Sequence, residues 1–311
     1  MLHGTDILKL LVRGYGAYQR LAHTAIFWWV VCGNVSLAQS FPIAAPNSIC
    51  AAVPAYNELD YMPFIDAMIV PGPSLTMEGL AQTLPRETSA KLAALEEFGA
   101  QQDAADWPNL CRYQPENAAL RRSSTRPDVV FIGDSITQNW RYGDATIFTA
   151  TSLGRGIFGQ TSPQILLRFY QDVVSLRPRV VHIMVGTNDV SPQGDATADL
   201  AIVDNIRAMI DIAEVNNIAV VLASITPSKG FFMLPEFDPS VRIISINQSL
   251  ARLAAARHIT YVNYFPVLVN LDGGFKAALS NDGLHPNKAG YAIMRPLTVA
   301  AIRQARRPKS R

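Results

Sequence analysis

The sequence predicts an α/β fold in which one five-stranded parallel sheet lies between two layers of helices, a three-layer α/β/α sandwich. Three observations support this fold. From residue 128 onward, short apolar runs alternate with segments of helical periodicity. The strongest runs are apolar throughout, which is typical of strands covered on both faces. Such alternation gives a parallel sheet with right-handed crossovers between helical layers.

Five segments are predicted to form the strands. Continuous apolar runs at 129–132, 179–185 and 218–224 are the strongest candidates, and 151–153 and 260–262 are weaker ones. Helices are predicted at 165–176, 200–214, 240–257 and 287–305, and a further helix is expected to begin at Ser135. Thr161 and Gln164 fit a capping box before the helix at 165–176.

A proline-rich leader at residues 39–126 precedes this domain. Prolines at 42, 46, 54, 63, 71, 73 and 85 break up long elements, and helices are expected only at 86–102 and 110–120. Since neither half of the leader could hold a strong core alone, we expect it to pack on the main domain. The main domain is predicted to span 127–305, followed by a basic tail at 306–311.

Residues 1–38 have the features of an export signal. Lys9, Arg13 and Arg20 precede an apolar run at 25–32, and small residues up to Ala38 offer a cleavage site. The run is much shorter than the ~20 residues that a membrane-spanning helix needs. The sequence therefore predicts a secreted or periplasmic protein with no stable membrane span in the mature chain. An uncleaved anchor and a misassigned start are the alternatives.

Cleavage after Ala38 would leave a nearly neutral chain. Loss of three basic residues lowers Lys plus Arg from 27 to 24, and loss of Asp6 lowers Asp plus Glu from 25 to 24. Five of the remaining basic residues lie near the end of the sequence, at Arg303, Arg306, Arg307, Lys309 and Arg311. The folded body is therefore slightly acidic, which argues against a nucleic-acid partner.

The cysteines agree with export. Cys32 lies in the signal region, which leaves Cys50 and Cys111 in the mature chain. Two cysteines in an oxidising compartment predict one disulfide, and two unrelated buried thiols are the alternative. On the chain-entropy model, closing a loop of about 60 residues contributes about 4 kcal/mol to stability.

Four short motifs follow predicted strands or precede the last predicted helix. They are Gly133-Asp134-Ser135, Gly156-Ile157-Phe158-Gly159, Gly186-Thr187-Asn188-Asp189 and Asp282-Gly283-Leu284-His285-Pro286. In open parallel sheets, sites form at the carboxyl ends of the strands. We therefore expect the four motifs to meet at one edge of the sheet.

These motifs contain the groups that nucleophilic catalysis needs. The hydroxyl of Ser135 is a weak nucleophile and needs a base, for which His285 is the candidate. Asp282 can hold the imidazole in one tautomer and stabilise the imidazolium. An oxyanion needs fixed donors, and the N–H of Ser135 at a helix start, the N–H of Gly159 and the side-chain amide of Asn188 are the candidates.

Together the motifs resemble those of the SGNH hydrolases, also called GDSL-type esterases and lipases. The resemblance covers about residues 107–303. It implies a flavodoxin-like α/β/α sandwich with five parallel strands that cleaves esters and thioesters without a metal. It also implies that the five catalytic residues are Ser135, Gly159, Asn188, Asp282 and His285.

A narrower resemblance is to bacterial acetylhydrolases and carbohydrate acetylesterases of that superfamily. It rests on Trp107-Pro-Asn-Leu-Cys-Arg-Tyr113, Asn117, Gly133-Asp-Ser-Ile-Thr137 with Trp140, and Gly159-Gln-Thr-Ser-Pro-Gln164. It implies a small-molecule or carbohydrate ester as the substrate. Ile136 stands where a leucine is usual, and Arg155 stands near a common asparagine, but neither change removes a catalytic group.

The other candidate residues have structural interpretations. Asp134 and Asp189 are expected to brace their loops, His182 to lie in the core and His258 to cap a helix. No Cys/His cluster has zinc spacing, so no metal is predicted. The Gly154-x-Gly156-x-x-Gly159 pattern lacks the acidic residue that follows a second strand in dinucleotide sites, so no cofactor is predicted.

Apolar residues near the predicted site leave two interpretations open. The loop at 227–239 carries Phe231, Phe232, Met233, Leu234 and Phe237, which either wall the site or pack against the leader. Trp140 and Phe158 likewise contact the substrate or pack internally.

The sequence thus predicts a serine esterase for short-chain esters, chiefly acetyl esters, with carbohydrates as one class of substrate. The aromatic loop motivates a lysophospholipase or broad lipase as an alternative. A glycan O-acetyltransferase is a further alternative. A non-catalytic glycan-binding protein is a remote one, because no group of the catalytic set is missing.

Overall fold

The computed structural model describes residues 50–51, 53, 56–57, 61–72, 74–75, 97–123, 125–191, 199–230 and 236–307. Several predictions therefore fall outside the described residues: the signal at 1–38, the start of the helix at 86–102, the apolar residues at 231–234 and the end of the basic tail.

Five strands form one parallel sheet, which confirms the predicted fold. They are β1 (Val129–Gly133), β2 (Ser152–Gly156), β3 (Val180–Met184), β4 (Ala219–Ala223) and β5 (Thr260–Val262). Their order is β2-β1-β3-β4-β5, the flavodoxin-like order, whose switch point lies between β1 and β3. Strand β2 continues past residue 153 because Gly154 and Arg155 still pair with β1, although neither is apolar.

Helices cover both faces of the sheet. They are α1 (Met62–Ile69), α2 (Gln114–Arg122), α3 (Ser135–Gly143), α4 (Ser162–Asp172), α5 (Asp199–Val215), α6 (Ser240–Ala256), α7 (Phe265–Leu268) and α8 (Lys288–Ala305). Residues 97–106 are also helical. The helix predicted at 165–176 ends at Asp172, and a 3₁₀ turn follows at Val174–Leu176. Its capping box is present, with the Thr161 N–H donating to Gln164 Oε1 at 3.0 Å.

Strand side chains alternate between two hydrophobic cores, one on each face of the sheet. Val130 and Ile132 of β1 enter the core formed with α4, α5 and α6. Val129 and Phe131 enter the core formed with α3 and α8. Because successive side chains of a strand point to opposite faces, a strand buried on both sides must be apolar throughout.

The described part of the leader packs on the main domain. Ile65, Met68 and Ile69 of α1 are buried in the core formed with α3 and α8. Helix α2 lies against α4 on the other face of the sheet. Helix α1 differs from the prediction of irregular structure around Pro63. Pro63 lies in the first turn of this helix, where proline is well tolerated.

The predictions that His182 lies in the core and that His258 caps a helix are confirmed, and the interpretation that Trp140 contacts substrate is wrong. His182 is fully buried and shares a 2.9 Å hydrogen bond with the Tyr264 hydroxyl, and burial lowers its pKa to about 3. His258 ends α6 through its backbone, with φ +51° and its N–H donating to the Ala255 carbonyl. Trp140 cannot contact substrate, because it is fully buried against Phe131 and other core rings.

The structure pairs Cys50 with Cys111, whose Cα atoms lie 5.4 Å apart. We expect a non-reducing digest of the exported protein to contain a peptide pair linked through these two cysteines. Reduction should lower the free energy of unfolding by about 4 kcal/mol, because the unfolded chain then regains the freedom of a large loop. Urea unfolding with and without reductant measures this change. Two free thiols in the unreduced protein would contradict the prediction.

Candidate active site

Ser135 lies at the carboxyl end of β1, where the strand turns directly into α3. Asp134 caps this helix, since its Oδ1 accepts the Ile136 N–H at 2.9 Å. Gly133 is required at the end of the strand because a Cβ there would collide with the Met184 carbonyl oxygen of β3. The turn therefore holds the Ser135 hydroxyl at the switch point of the sheet, with the first N–H groups of the helix unpaired within it.

The structure brings Ser135, His285 and Asp282 into one hydrogen-bonded chain. Ser135 Oγ lies 2.8 Å from His285 Nε2, although the two residues are 150 positions apart. Asp282 Oδ2 lies 2.6 Å from His285 Nδ1. Because a carboxylate only accepts hydrogen bonds, Nδ1 carries the proton of the neutral imidazole and donates it to Asp282. Nε2 is then unprotonated and can accept the serine proton.

The loop before α8 fixes the orientation of Asp282. Its Oδ1 accepts the N–H groups of Leu284 at 2.9 Å and His285 at 2.7 Å, while Oδ2 is left for the imidazole. Gly283, which follows Asp282 in this loop, has φ +75°, a conformation that glycine adopts without strain. The two oxygens of one carboxylate thus hold both the loop and the imidazole ring.

Asp282 and His285 shift each other's pKa in the directions that a charged pair requires. Burial alone would raise the pKa of Asp282, but the His285 charge and hydrogen bonds from His285 and Leu284 bring it below its usual range. Burial alone would lower the pKa of His285, but the charge and hydrogen bond of Asp282, with the charge of Asp134, raise it above its ordinary value. The pair therefore favours an imidazolium once a proton is taken from Ser135.

Asp134 and Asp189 brace their loops, which confirms their structural interpretation. Burial raises the pKa of Asp134 to about 6, even though the Ile136 N–H and the nearby His285 lower it. Asp189 accepts the Ser162 N–H at 2.9 Å and the Ser162 hydroxyl at 2.5 Å. This contact ties the loop after β3 to the start of α4.

Gly159 and Asn188 lie on two loops that are joined to each other and to the end of β1. The Ile157 N–H donates to the Gly133 carbonyl at 3.1 Å, which places the Gly159 loop beside the turn that carries Ser135. Asn188 Nδ2 donates to the Gln160 carbonyl at 2.9 Å. Gly159 has φ +76°, and a Cβ there would meet only open space, so backbone conformation rather than crowding requires glycine.

Phe158 is a candidate for substrate contact. Its side chain is 52% exposed, and its ring stacks on the His285 imidazole with centroids 6.1 Å apart. The loop at 227–239 is described only in part, and its Phe237 packs against the core formed with α4, α5 and α6.

Arg168, which is fully buried behind the site, is not among the residues predicted from the sequence. Its guanidinium donates to Gly133 O at 2.8 Å, to Arg155 O at 2.8 Å and to Gln160 Oε1 at 2.5 Å, and it pairs with Asp172. It therefore joins the ends of β1 and β2 to the Gly159 loop. Its position was a usable signal, because an arginine beside Phe169 and three residues after Ile165 falls on the apolar face of α4.

Two further features concern metals and membranes. Within the described ranges, no group of three or more His, Cys, Asp or Glu side chains is placed to hold a metal ion. In the same part of the chain, no helix combines the length and apolar composition that crossing a membrane requires.

This geometry suits nucleophilic attack on an acyl carbon. A hydroxyl bonded to a neutral imidazole, which is in turn bonded to a carboxylate, is the arrangement by which a serine loses its proton as it attacks. N–H groups at a helix start and on adjacent loops can stabilise the oxyanion that forms.

The comparisons with known proteins agree with this chemistry. Residues 131–293 match the model of the GDSL-like lipase/acylhydrolase family. A solved GDSL-like lipase of Bacteroides thetaiotaomicron is 37% identical with a TM-score of 0.61, and the match covers 64% of this chain and 100% of that chain. A candidate acylhydrolase of Bacteroides fragilis is 35% identical with a TM-score of 0.61, over 65% and 99% of the two chains. An acetylxylan esterase of Geobacillus stearothermophilus is 27% identical over 46% of this chain and 67% of its own length.

Proposed function

The chain belongs to the GDSL-like lipase/acylhydrolase family of the SGNH hydrolases and is a carboxylic ester hydrolase, and on this premise we propose that it releases short acyl groups, chiefly acetyl, from small-molecule or carbohydrate esters. The observation that carries the proposal is the hydrogen-bonded chain from Ser135 through His285 to Asp282.

In the proposed mechanism, Ser135 Oγ attacks the ester carbonyl while His285 Nε2 takes the hydroxyl proton. The imidazolium forms beside the ionised Asp282, whose charge stabilises it. His285 then gives the proton to the departing alcohol, and the acyl group remains on Ser135. A water molecule attacks this ester with His285 again as base, and the acid leaves.

Three donors are proposed for the oxyanion of each tetrahedral intermediate. They are the N–H of Ser135, the N–H of Gly159 and the second N–H of the Asn188 amide. Among the described residues none accepts a hydrogen bond from the Gly159 N–H, so this donor is available to a ligand. Losing one donor of this kind typically costs ~10²–10³ in kcat.

The narrower substrate proposal rests on two observations. An acetylxylan esterase is among the relatives of the chain. Phe158 presents an exposed ring beside His285, and a ring of this kind provides a flat apolar face for a sugar. We also propose secretion or a periplasmic location, supported by the signal-like residues 1–38 and the pairing of Cys50 with Cys111.

We expect turnover of p-nitrophenyl esters to fall steeply as the acyl chain grows from acetyl to palmitoyl. An acetylated xylooligosaccharide should also be deacetylated. The variant Phe158→Ala tests the proposed contact between this ring and the sugar. It should raise KM for the oligosaccharide but leave p-nitrophenyl acetate turnover within about twofold, because the reacting groups are unchanged. Preference for the palmitoyl ester would instead favour a lipase or lysophospholipase. Transfer of acetyl to an added sugar would favour an acyltransferase.

The pH dependence of kcat/KM is expected to show an acidic limb with an apparent pKa above 6.5, the ordinary value of histidine. His285 must be neutral to act as the base, and Asp282 with Asp134 raises the pKa of its imidazole despite burial. Activity should therefore be lost as the pH falls through this raised value. Rates measured at low substrate concentration test this. A profile that stays flat down to about pH 5 would contradict the role of His285.

A further inference from the structure

One loop of the leader is bonded to the segment that carries Gly159. This leader loop comprises residues 106–113. Gln160 Nε2 donates to the Pro108 carbonyl at 2.9 Å, and the Tyr113 hydroxyl donates to the Gly156 carbonyl at 2.5 Å. Gln160 and Tyr113 are 2% and 1% exposed, so neither hydrogen bond competes with bulk water. The leader loop therefore holds the segment on both sides of Gly159.

Gln160 also connects this segment to Asn188, the side-chain donor proposed for the oxyanion. Its main-chain carbonyl accepts one N–H of the Asn188 amide at 2.9 Å. Because the two N–H groups of an amide are coplanar, that bond sets the direction of the other one. Gln160 Oε1 accepts the Arg168 Nε–H at 2.5 Å. One residue thus contacts the leader loop, the buried arginine and Asn188.

The leader loop is itself held firmly. The carboxylate of Asp106 accepts the N–H groups of Leu110 at 2.9 Å and Cys111 at 2.8 Å. The Arg155 guanidinium lies over the Tyr113 ring, 4.6 Å from its centroid. An anchor that is fixed in this way can transmit its position to the segment that it contacts.

A second contact between the leader and the Gly159 segment passes through Gln138 of α3. Gln138 Oε1 accepts the N–H of Phe158, the residue before Gly159, at 2.8 Å. Its Nε2 donates to the hydroxyl of Tyr56 in the leader at 2.9 Å. Residues on both sides of Gly159 are therefore connected to the leader: Phe158 through Gln138, and Gln160 through its own side chain.

We propose that the leader is part of the active-site structure, and that Gln160 and Tyr113 are positioning residues that aim Gly159 and Asn188 at the oxyanion. This inference rests on the proposed function, because it requires Gly159 and Asn188 to be oxyanion donors. The donors act only when held at hydrogen-bond distance from the developing charge. A misplacement of about 1 Å can cost ~10² in rate.

The test compares Gln160→Ala and Tyr113→Phe with Gln171→Ala as the matched control. Gln171 Nε2 also donates to the leader loop, at the Leu110 carbonyl, but within the described part of the chain none of its hydrogen bonds reaches the Gly159 segment. We expect kcat for p-nitrophenyl acetate to fall by roughly 10- to 100-fold in Gln160→Ala and by about 10-fold in Tyr113→Phe. KM should change less than about threefold, because the donors act mainly on the transition state.

A second measurement separates positioning from stability. The rate of inactivation by diethyl p-nitrophenyl phosphate reports donors aimed at a developing oxyanion, and it should fall in parallel with kcat. The Gln171→Ala variant should keep parental kcat and inactivation rate even if its Tm falls as much as that of the other two variants.

Two outcomes would overturn the inference. One is parental kcat in both Gln160→Ala and Tyr113→Phe. The other is an equal loss of kcat in all three variants, which would indicate general destabilisation. Either result leaves the proposed function intact, because that function fails only if the parent protein hydrolyses no ester.

Discussion

Replacing Ser135 with alanine is expected to lower turnover of p-nitrophenyl acetate at least ~10⁴-fold. The substitution removes the oxygen that forms the acyl-enzyme and leaves the His285 base with nothing to activate but water. The fold should be retained, since alanine is a good helix former at the first position of α3 and the Asp134 cap is unchanged. Initial rates and Tm of the purified variant test both expectations.

Ser224→Ala is the matched control for this substitution. Ser224 is also fully buried and follows a strand of the same sheet, and its hydroxyl accepts the Tyr264 N–H at 2.9 Å. Its loss should lower Tm by removing a buried hydrogen bond but leave turnover unchanged. If Ser135→Ala kept more than a small fraction of parental turnover, a different nucleophile would have to be sought.

Replacing Asp282 with asparagine is expected to lower kcat by about 10³- to 10⁴-fold. Asparagine can still accept the N–H groups of Leu284 and His285, so the loop should keep its shape. It cannot stabilise an imidazolium, and its amide can hold His285 in the wrong tautomer. The effect should therefore appear in kcat rather than in Tm.

The same variant should change the pH dependence in a defined direction. Asp282 raises the pKa of His285, so its neutralisation should move the acidic limb of kcat/KM to lower pH. The control is Asp199→Asn, which removes a carboxylate that pairs with Arg242 and takes no part in the hydrogen-bonded chain of Ser135, His285 and Asp282. An Asp282→Asn variant with parental kcat and an unshifted limb would show that the carboxylate has no part in catalysis.

The sequence was a good guide to the main domain because its signals there are local. A continuous apolar run such as 129–132 is typical of a strand that is covered on both faces. The extent of β2 was less predictable, because Gly154 to Gly156 is a strand only by virtue of pairing with β1. Helix α1 was missed because the prolines around it suggested irregular structure, while its burial depends on contacts with a core distant in sequence.

The positions of the candidate site residues were predictable from their place after strands, but the residues that hold them were not. The sequence could not decide whether Trp140 lies in the core or contacts the substrate, because an aromatic ring suits either environment. Gln160 stood in a recognisable motif, yet its partners Pro108, Arg168 and Asn188 come from three separate segments. Only the tertiary structure shows that one residue bonds to all three segments.

The most direct test of the proposed catalytic chain is the site labelled by diethyl p-nitrophenyl phosphate. Incubation should release one equivalent of p-nitrophenol per protein molecule and abolish esterase activity in proportion. Mass spectrometry of the digest should then find the diethylphosphoryl group on Ser135, and Ser135→Ala should remain unlabelled. Complete inactivation with the label on another residue, or full activity after exhaustive treatment, would contradict a nucleophile at Ser135.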